Sequence, residues 1–281
     1  MFNSPFDSSG NESQPTIPEG CEIIFVSDFF ASELTGGAEL TSEALIDSSP
    51  FNVYKLHARD VSIDLLEQGQ SKYWIFTNFS TMDLQLIPSI VANLNYSVIE
   101  YDFKYCKYRS PEKHQEIEGK PCDCHDDIHG KMISTLMYGA KSLWWMSEKQ
   151  QDTYLKLFPF LSERDNVVLS SVFDDHFFAT VKFLNEQSAS SERKGWVVLG
   201  SNSWVKGTQA AIDYCQDNNL EFDVINGLEY SQVLQKFSTA EGFVYLPAGA
   251  DTCPRMVIEA KLLGCKLHIN EHVQHADELW F

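Results

Sequence analysis

The chain has 281 residues, of which 43% are hydrophobic and 13% aromatic, so it can bury a substantial core and does not have the composition of a disordered protein. Its formal net charge of -19 repels the phosphates of nucleic acids and the anionic surfaces of membranes, which argues against both as partners. The net negative charge does not exclude a small anionic ligand, because a phosphate site needs only local amides and one or two cations.

Cysteine usage and the N-terminal residues indicate where the protein is found. The seven cysteines are odd in number and scattered, unlike the dense frameworks of small secreted domains. Residues 1–20 have neither a basic start nor an apolar stretch, so we expect a disordered leader rather than a signal peptide or an anchor. No apolar run approaches the roughly 20 residues that cross a bilayer. We predict a cytoplasmic protein without stable membrane insertion.

Strands and helices alternate along residues 21–184, which is the pattern of a parallel sheet covered by helices. The predicted strands are CEIIFVSDFF, NVYKLHA, KYWIFTNF, YSVIEYDF, SLWWMS and NVVLSSVF. The predicted helices are AELTSEALI, MDLQLIPSIVANL, GKMISTLMYGA and EKQQDTYLKLF. We predict an N-terminal Rossmann-like domain here.

A polar, serine-rich stretch at residues 185–195 interrupts the alternation, as interdomain linkers do. Residues 196–281 then resume it with strands GWVVLG, FDVI, GFVYLPA and KLHIN and helices TQAAIDYCQDNN, YSQVLQKFST and PRMVIEAKLL. A second Rossmann-like domain follows. Because open parallel sheets bind ligands beyond the carboxyl ends of their strands, we expect a cleft between the two domains.

The segment Gly242–Cys265 carries the most information about function, because its pattern predicts a strand, a loop and a helix that ends at Gly264. Pro254 suits the first turn of that helix, where its missing N–H would have no partner anyway. The amides of residues 253–256 and the positive end of the helix dipole would accept a phosphate, and Arg255 could add charge.

Two acidic residues, Asp251 and Glu259, flank this helix start. Taken alone, they could be a helix cap and a solvated side chain. In context they resemble retaining GT-B glycosyltransferases of the family-four type (glycosyl transferases group 1), where a strand ends in Pro-Ser before two acids that seven residues separate. This chain has Leu-Pro-Ala before Asp251, then Glu259-Ala260 and Gly264. The resemblance implies that Asp251 holds the donor sugar, where the family usually has Glu, and that Glu259 binds the ribose.

Two further segments resemble the same family. The predicted strand GWVVLG leads to Lys206-Gly207 at a helix start, which in the family binds the donor diphosphate; Ser201 stands where the family commonly has Arg. Near the N-terminus, Gly36-Gly37 resembles the Gly-Gly-x-Glu turn beside the donor phosphates or the acceptor. Taken alone, these segments would be a surface helix start and an ordinary flexible turn.

The resemblance covers roughly residues 21–270 and implies two catalytic residues, Asp251 and, from the mid-domain strand, Asp102. The loop 226–230 is expected to meet the base through Leu228. The expected donor-binding residues are Gly36, Gly37, Ser201, Lys206, Gly207, Leu228, Asp251, Thr252, Cys253, Pro254, Arg255, Met256 and Glu259.

A cysteine- and histidine-rich segment, residues 121–129, follows Cys106. We favour a plain acidic loop here. The alternatives are a structural zinc bound by Cys106, Cys122, Cys124 and His125, and a disulfide. The neighbouring segment 103–114 is rich in basic and aromatic residues and could bind an anionic or sugar acceptor. We favour the alternative that this segment is a solvated helix or loop.

The resemblance implies a GT-B fold and a hexosyltransferase that moves sugar from a UDP- or GDP-sugar to a glycan or lipid-linked glycan with retention of configuration. It implies no catalytic metal and no required cofactor. The leading alternative is a degenerate relative that binds a nucleotide-sugar or a glycan without transfer. A nicotinamide-dependent oxidoreductase is disfavoured, since no G-x-G-x-x-G follows a strand.

Overall fold

A six-stranded parallel sheet organises the first half of residues 15–281, the part of the chain that the computed structural model describes. Its strands are β1 (Ile23–Ser27), β2 (Val53–His57), β3 (Tyr73–Phe76), β4 (Asn95–Glu100), β5 (Ser142–Trp145) and β6 (Asp165–Val168). They lie in the order β2-β1-β3-β4-β5-β6. The helices of this half are α1 (Gly37–Asp47), α2 (Ile63–Gln68), α3 (Ile87–Asn93), α4 (Pro111–Glu118), α5 (Ile128–Gly139) and α6 (Glu148–Leu157).

Both faces of the inner strands β1, β3, β4 and β5 are largely buried, which explains why these strands are mostly apolar. Trp74 and Phe76 of β3 enter one apolar cluster, whereas Ile75 between them enters another on the opposite face. The alternation of side chains along a strand produces this division.

A four-stranded parallel sheet organises the second half, in the order β10-β9-β7-β8. Its strands are β7 (Trp196–Leu199), β8 (Phe222–Ile225), β9 (Gly242–Tyr245) and β10 (Lys266–Ile269). Its helices are α7 (Asp175–Ser188), α8 (Thr208–Asp217), α9 (Tyr230–Thr239) and α10 (Arg255–Leu262). The structure therefore has two Rossmann-like α/β units, and all ten predicted strands are confirmed.

Helix α7 belongs to the second unit and therefore determines where the chain passes from one unit to the other. Its apolar side chains Phe177, Val181 and Leu184 pack in the core of the second sheet. The helix continues to Ser188, so the first residues of the predicted 185–195 linker are helical. The chain crosses between β6 and α7, before the predicted boundary. The sequence interpretation missed α7, as it missed α2 and α4.

The predicted leader, residues 1–20, lies partly outside the described residues. In the described part, Ile17 packs against the first core, and the Glu19 carbonyl accepts a hydrogen bond from Lys72. Residues 15–20 are therefore attached to the domain, and the expectation of disorder is wrong for them. None of the helices within residues 15–281 is both long enough and apolar enough to span a membrane.

The last residues of the chain bind the first unit. The Ser147 hydroxyl donates to Gln274, and the Lys149 ammonium lies 2.6 Å from an Asp277 carboxylate oxygen. His275 is fully buried against Trp280 and Phe281, and neither of its ring nitrogens has a hydrogen-bond partner among the described residues. Because burial penalises its charged form, the pKa of His275 falls to about 4.

We expect this histidine to make folding stability depend on pH. Between about pH 6.5 and 4 the unfolded chain binds the proton and the folded chain does not, so the free energy of unfolding should fall as pH falls through this window. The loss should approach about 3 kcal/mol. Urea unfolding at several pH values measures it, and His275→Phe should have a smaller slope. Equal slopes for the two proteins would contradict the assignment.

Candidate functional site

A cavity of about 860 Å³ lies between the carboxyl ends of the two sheets. From the first unit, the loops after β1, β3 and β4 line it, and from the second unit the loops after β7, β8 and β9. The sequence analysis placed the ligand cleft at this edge, where parallel strands expose their loops. Two hydrogen bonds join the units beside it: the Thr252 hydroxyl donates to the Tyr101 carbonyl, and the Ser171 hydroxyl to the Cys253 carbonyl.

The N-terminus of α10 opens into this cavity. Pro254 occupies the N-cap position, and no side chain caps the helix. Among the described residues, the backbone amides of Thr252, Cys253, Arg255 and Met256 donate to no protein acceptor. These amides and the helix dipole make this end of the cavity attractive to an anion.

The N-terminus of α1 faces the same cavity from the other unit. Gly36 is its N-cap in an extended conformation, again without a side-chain cap. A Cβ on Gly37 would lie 3.6 Å from the Cβ of Arg255, so the two helix starts nearly touch. The glycines allow this approach, and the positive ends of two helices therefore converge on one space.

Lys206, Asp251 and Tyr245 form a polar group at the cavity wall. The Lys206 ammonium lies 2.7 Å from Asp251 Oδ2, and the Tyr245 hydroxyl donates to the same oxygen. Burial alone would raise the pKa of Asp251, but the nearby ammonium and these hydrogen bonds outweigh it and lower the pKa. Asp251 is therefore an ionised acceptor of hydrogen bonds at neutral pH.

Glu259 is almost completely buried but still reaches the cavity. The Tyr230 hydroxyl donates to its Oε1 at 2.7 Å, and Arg255 Nε donates to the same oxygen at 3.0 Å. Burial raises the pKa of Glu259, although Arg255 and Tyr230 oppose the shift. Among the described residues no hydrogen bond reaches Oε2.

The Arg255 guanidinium is directed away from the expected phosphate position. It donates to Glu259 and to the carbonyl of Val172, and it stacks 3.8 Å from the centre of the Phe173 ring. From the sequence, Arg255 was expected to add charge near the phosphate. The structure instead uses its charge to hold Glu259.

Arg109 is a cavity cation to which the sequence interpretation gave no donor or catalytic role. It contacts Asp102, donates to Asn78 at 2.7 Å and lies 3.9 Å from Asp28. Its backbone has the left-handed φ of 56°. We interpreted residues 103–114 mainly as a solvated segment, yet they bring Arg109 and Lys113 to the cavity. The basic composition of that segment was the feature of the sequence that could have predicted these cavity cations.

The cavity lining includes every predicted donor-binding or catalytic residue except Gly207. Gly207 has a φ of +59°, and a Cβ there would lie 1.7 Å from the Leu246 carbonyl oxygen. Glycine at this position therefore lets the chain turn into α8 against that carbonyl. The Ser201 hydroxyl accepts a hydrogen bond from the Ser203 amide, and Leu228 is 42% exposed.

The cysteine cluster differs from its predicted composition. Cys106, Cys122 and Cys124 do converge, but the imidazole that joins them is that of His114. His125 is 3.3 Å from Asp126 and takes no part. His125 was predicted because it is close to the cysteines along the chain, whereas His114 is brought to them by α4.

Comparisons with known proteins concern the fold. No protein-family model matches the sequence, and no curated protein matches it significantly. Among solved structures, the chain is similar to a UDP-forming α,α-trehalose-phosphate synthase from Burkholderia xenovorans, with a TM-score of 0.58 and 8% identity over 91% of this chain and 85% of that one. It is also similar to HepE from Anabaena in complex with UDP-glucose, with a TM-score of 0.52 and 11% identity over 88% of this chain and 80% of that one.

The two parallel sheets and these structural matches indicate the same fold. The chain has a GT-B-like fold. A third structure, trehalose-6-phosphate from E. coli bound with UDP-2-fluoro glucose, matches with a TM-score of 0.56 and 9% identity over 92% of this chain and 86% of that one. At such identities the likeness establishes the arrangement of the two units.

Proposed function

We propose that the protein is a glycosyltransferase that takes its sugar from a nucleoside-diphosphate sugar. The observation that carries the proposal is that two helix starts without an N-cap side chain, at Gly37 and Arg255, lie next to each other at the wall of a cavity that Lys206 also lines. The free amides at the start of α10, the positive end of α1 and the Lys206 ammonium suit a diphosphate. UDP is the favoured nucleotide, since structures of the similar HepE contain UDP-glucose or UDP and glucose.

In this proposal each part of the donor meets a different loop. The diphosphate lies beside the two adjacent helix starts and is contacted by Lys206. The ribose hydroxyls donate to Glu259, whose Oε2 is free of protein donors among the described residues. The base lies beside Leu228, and the sugar hydroxyls donate to Asp251.

The reaction would need little covalent chemistry from the protein. The acceptor oxygen bonds to the anomeric carbon, the bond from that carbon to the diphosphate breaks, and the acceptor proton leaves with the released nucleotide. Lys206 and the helix amides stabilise the charge that develops on the diphosphate. Asp251 is ionised, so it orients the sugar and does not protonate the leaving group.

We place the acceptor, a glycan or lipid-linked glycan, on the side of the first unit. Asp102 and Arg109 line the cavity there and can bind hydroxyl groups. We further propose that configuration is retained and that no metal takes part in the transfer. Both statements follow from the family resemblance.

A second candidate function is binding of a nucleotide-sugar without transfer. The specific observation is that both expected phosphate cations are already paired, Lys206 with Asp251 and Arg255 with Glu259. A donor must compete for these cations, which weakens stabilisation of the leaving group.

Calorimetry and a turnover assay, performed on the same preparation, separate the two functions. We expect UDP-glucose, GDP-mannose or ADP-glucose to bind and to be consumed when glycan acceptors are present, with NMR of the product showing retention. Binding without turnover on any acceptor would favour the second function. Absence of binding to all three donors would overturn both.

A further inference from the structure

A second group of chemically reactive side chains lies outside the cavity, and no step of the proposed transfer uses it. Cys106 lies in the turn after β4, His114 on α4, and Cys122 and Cys124 before α5. One ligand atom from each residue lies within 4.8 Å of the other three. Three thiols and one imidazole are among the sets that hold structural zinc.

The distances within this group match a metal site. His114 Nδ1 lies 3.3 Å from Cys124 Sγ and 4.0 Å from Cys106 Sγ. Around a zinc ion with Zn–S bonds of about 2.3 Å and a Zn–N bond of about 2.0 Å, neighbouring ligand atoms lie roughly 3.5–3.8 Å apart. Small side-chain rotations therefore suffice to place all four atoms around one ion.

The surroundings of His114 point the same way. Its Nε2 is buried without a hydrogen-bond partner among the described residues, and the nearest carboxylate oxygen, on Asp123, is 3.7 Å away. Zinc-bound histidines usually direct their second nitrogen at a carboxylate or a carbonyl. Zinc on Nδ1 would fix the tautomer that carries hydrogen on Nε2 and would draw this nitrogen towards Asp123.

Local backbone packing holds the cysteine segment in place. A Cβ on Gly130 would lie 2.1 Å from the Cys124 carbonyl oxygen, so glycine allows the first turn of α5 to approach Cys124 closely. A disulfide explains this arrangement less well. It would join only two of the three sulfurs and would not explain why the third thiol and the imidazole converge on the same point.

We infer that Cys106, His114, Cys122 and Cys124 bind a structural zinc ion. The ion ties α4 and the residues before α5 to the end of β4. The segment so enclosed includes Arg109 and Lys113, which line the cavity. Zinc would therefore fix one wall of the cavity without taking part in any reaction there.

Metal analysis of the full-length protein tests this inference. After equilibration with zinc and dialysis, mass spectrometry of the metal content should find about one ion per chain, falling below about a tenth in Cys124→Ser. His125→Ala is the matched control, because this neighbouring histidine is outside the cluster and its variant should keep the ion. If His125→Ala loses zinc and Cys124→Ser keeps it, the ligand assignment is wrong.

Because Cys124→Ser can fail to fold, a second measurement uses the unaltered chain. Replacing zinc by Co²⁺ should produce thiolate-to-cobalt absorption and the visible bands of a tetrahedral site. Removing the metal with a chelator should expose Lys107, Lys113 and Lys120 to faster cleavage by trypsin. Absence of metal and of cobalt–thiolate absorption, or a disulfide among these cysteines in the non-reduced protein, would overturn the inference.

Discussion

Replacing Lys206 with methionine is expected to lower kcat/KM for a UDP-sugar by about 10²- to 10³-fold. Methionine keeps an apolar stem near the Tyr245 ring but removes the ammonium. The Asp251 carboxylate would then face the diphosphate without its counter-ion, which adds repulsion to the lost attraction. Calorimetry with UDP-sugar and steady-state turnover together separate weaker binding from slower transfer.

A surface lysine of the same unit supplies the control for this change. Lys266 is exposed, pairs with Glu241 and does not line the cavity, so Lys266→Met should behave like the unaltered protein. The double variant Lys206→Met/Asp251→Asn should recover part of the affinity for UDP, since it removes the unpaired carboxylate. Unchanged donor affinity in Lys206→Met would remove the phosphate role assigned to this residue.

Replacing Asp251 with asparagine is expected to reduce the preference for UDP-sugar over UDP by roughly tenfold, the worth of one hydrogen bond to a charged group. The carboxylate is ionised. Asparagine has nearly the same shape, but its side chain accepts hydrogen bonds from the sugar hydroxyls less strongly. Affinity for UDP alone should hold or rise, because Lys206 is released from its ion pair. Calorimetric titrations with UDP and with UDP-sugar measure the ratio directly.

Turnover should fall in the same variant, by about 10²-fold if the sugar is no longer oriented for attack. Asp223→Asn is the matched control, since Asp223 is exposed, pairs with Lys236 and lies outside the cavity lining. If Asp251→Asn lowered the affinity for UDP and for UDP-sugar by the same factor, Asp251 would serve only to hold Lys206 or the loop.

Much of the fold follows from local patterns. The ten strands are short apolar runs between helical segments, and each has enough β-branched or aromatic residues to be recognised without knowledge of its neighbours. The start of α10 is equally local, because Pro254 cannot donate a backbone hydrogen bond and suits a helix entrance. The missed α4 contains Lys113, His114 and Gln115 and has little apolar periodicity, so its formation depends on the Ser110 cap and on packing.

The sequence by itself determined the alternation of strands and helices, the edge at which the cavity opens and some of the residues that line it, among them Lys206, Asp251 and Glu259. The tertiary structure decided which side chains meet there: Lys206 pairs with Asp251 across 45 residues, and Arg255 turns to Glu259. It also brings His114 rather than His125 to the cysteines. The physical reason is that backbone patterns act over a few neighbouring residues, whereas a charged or metal-binding side chain takes its partner from whichever segment the packed core places beside it.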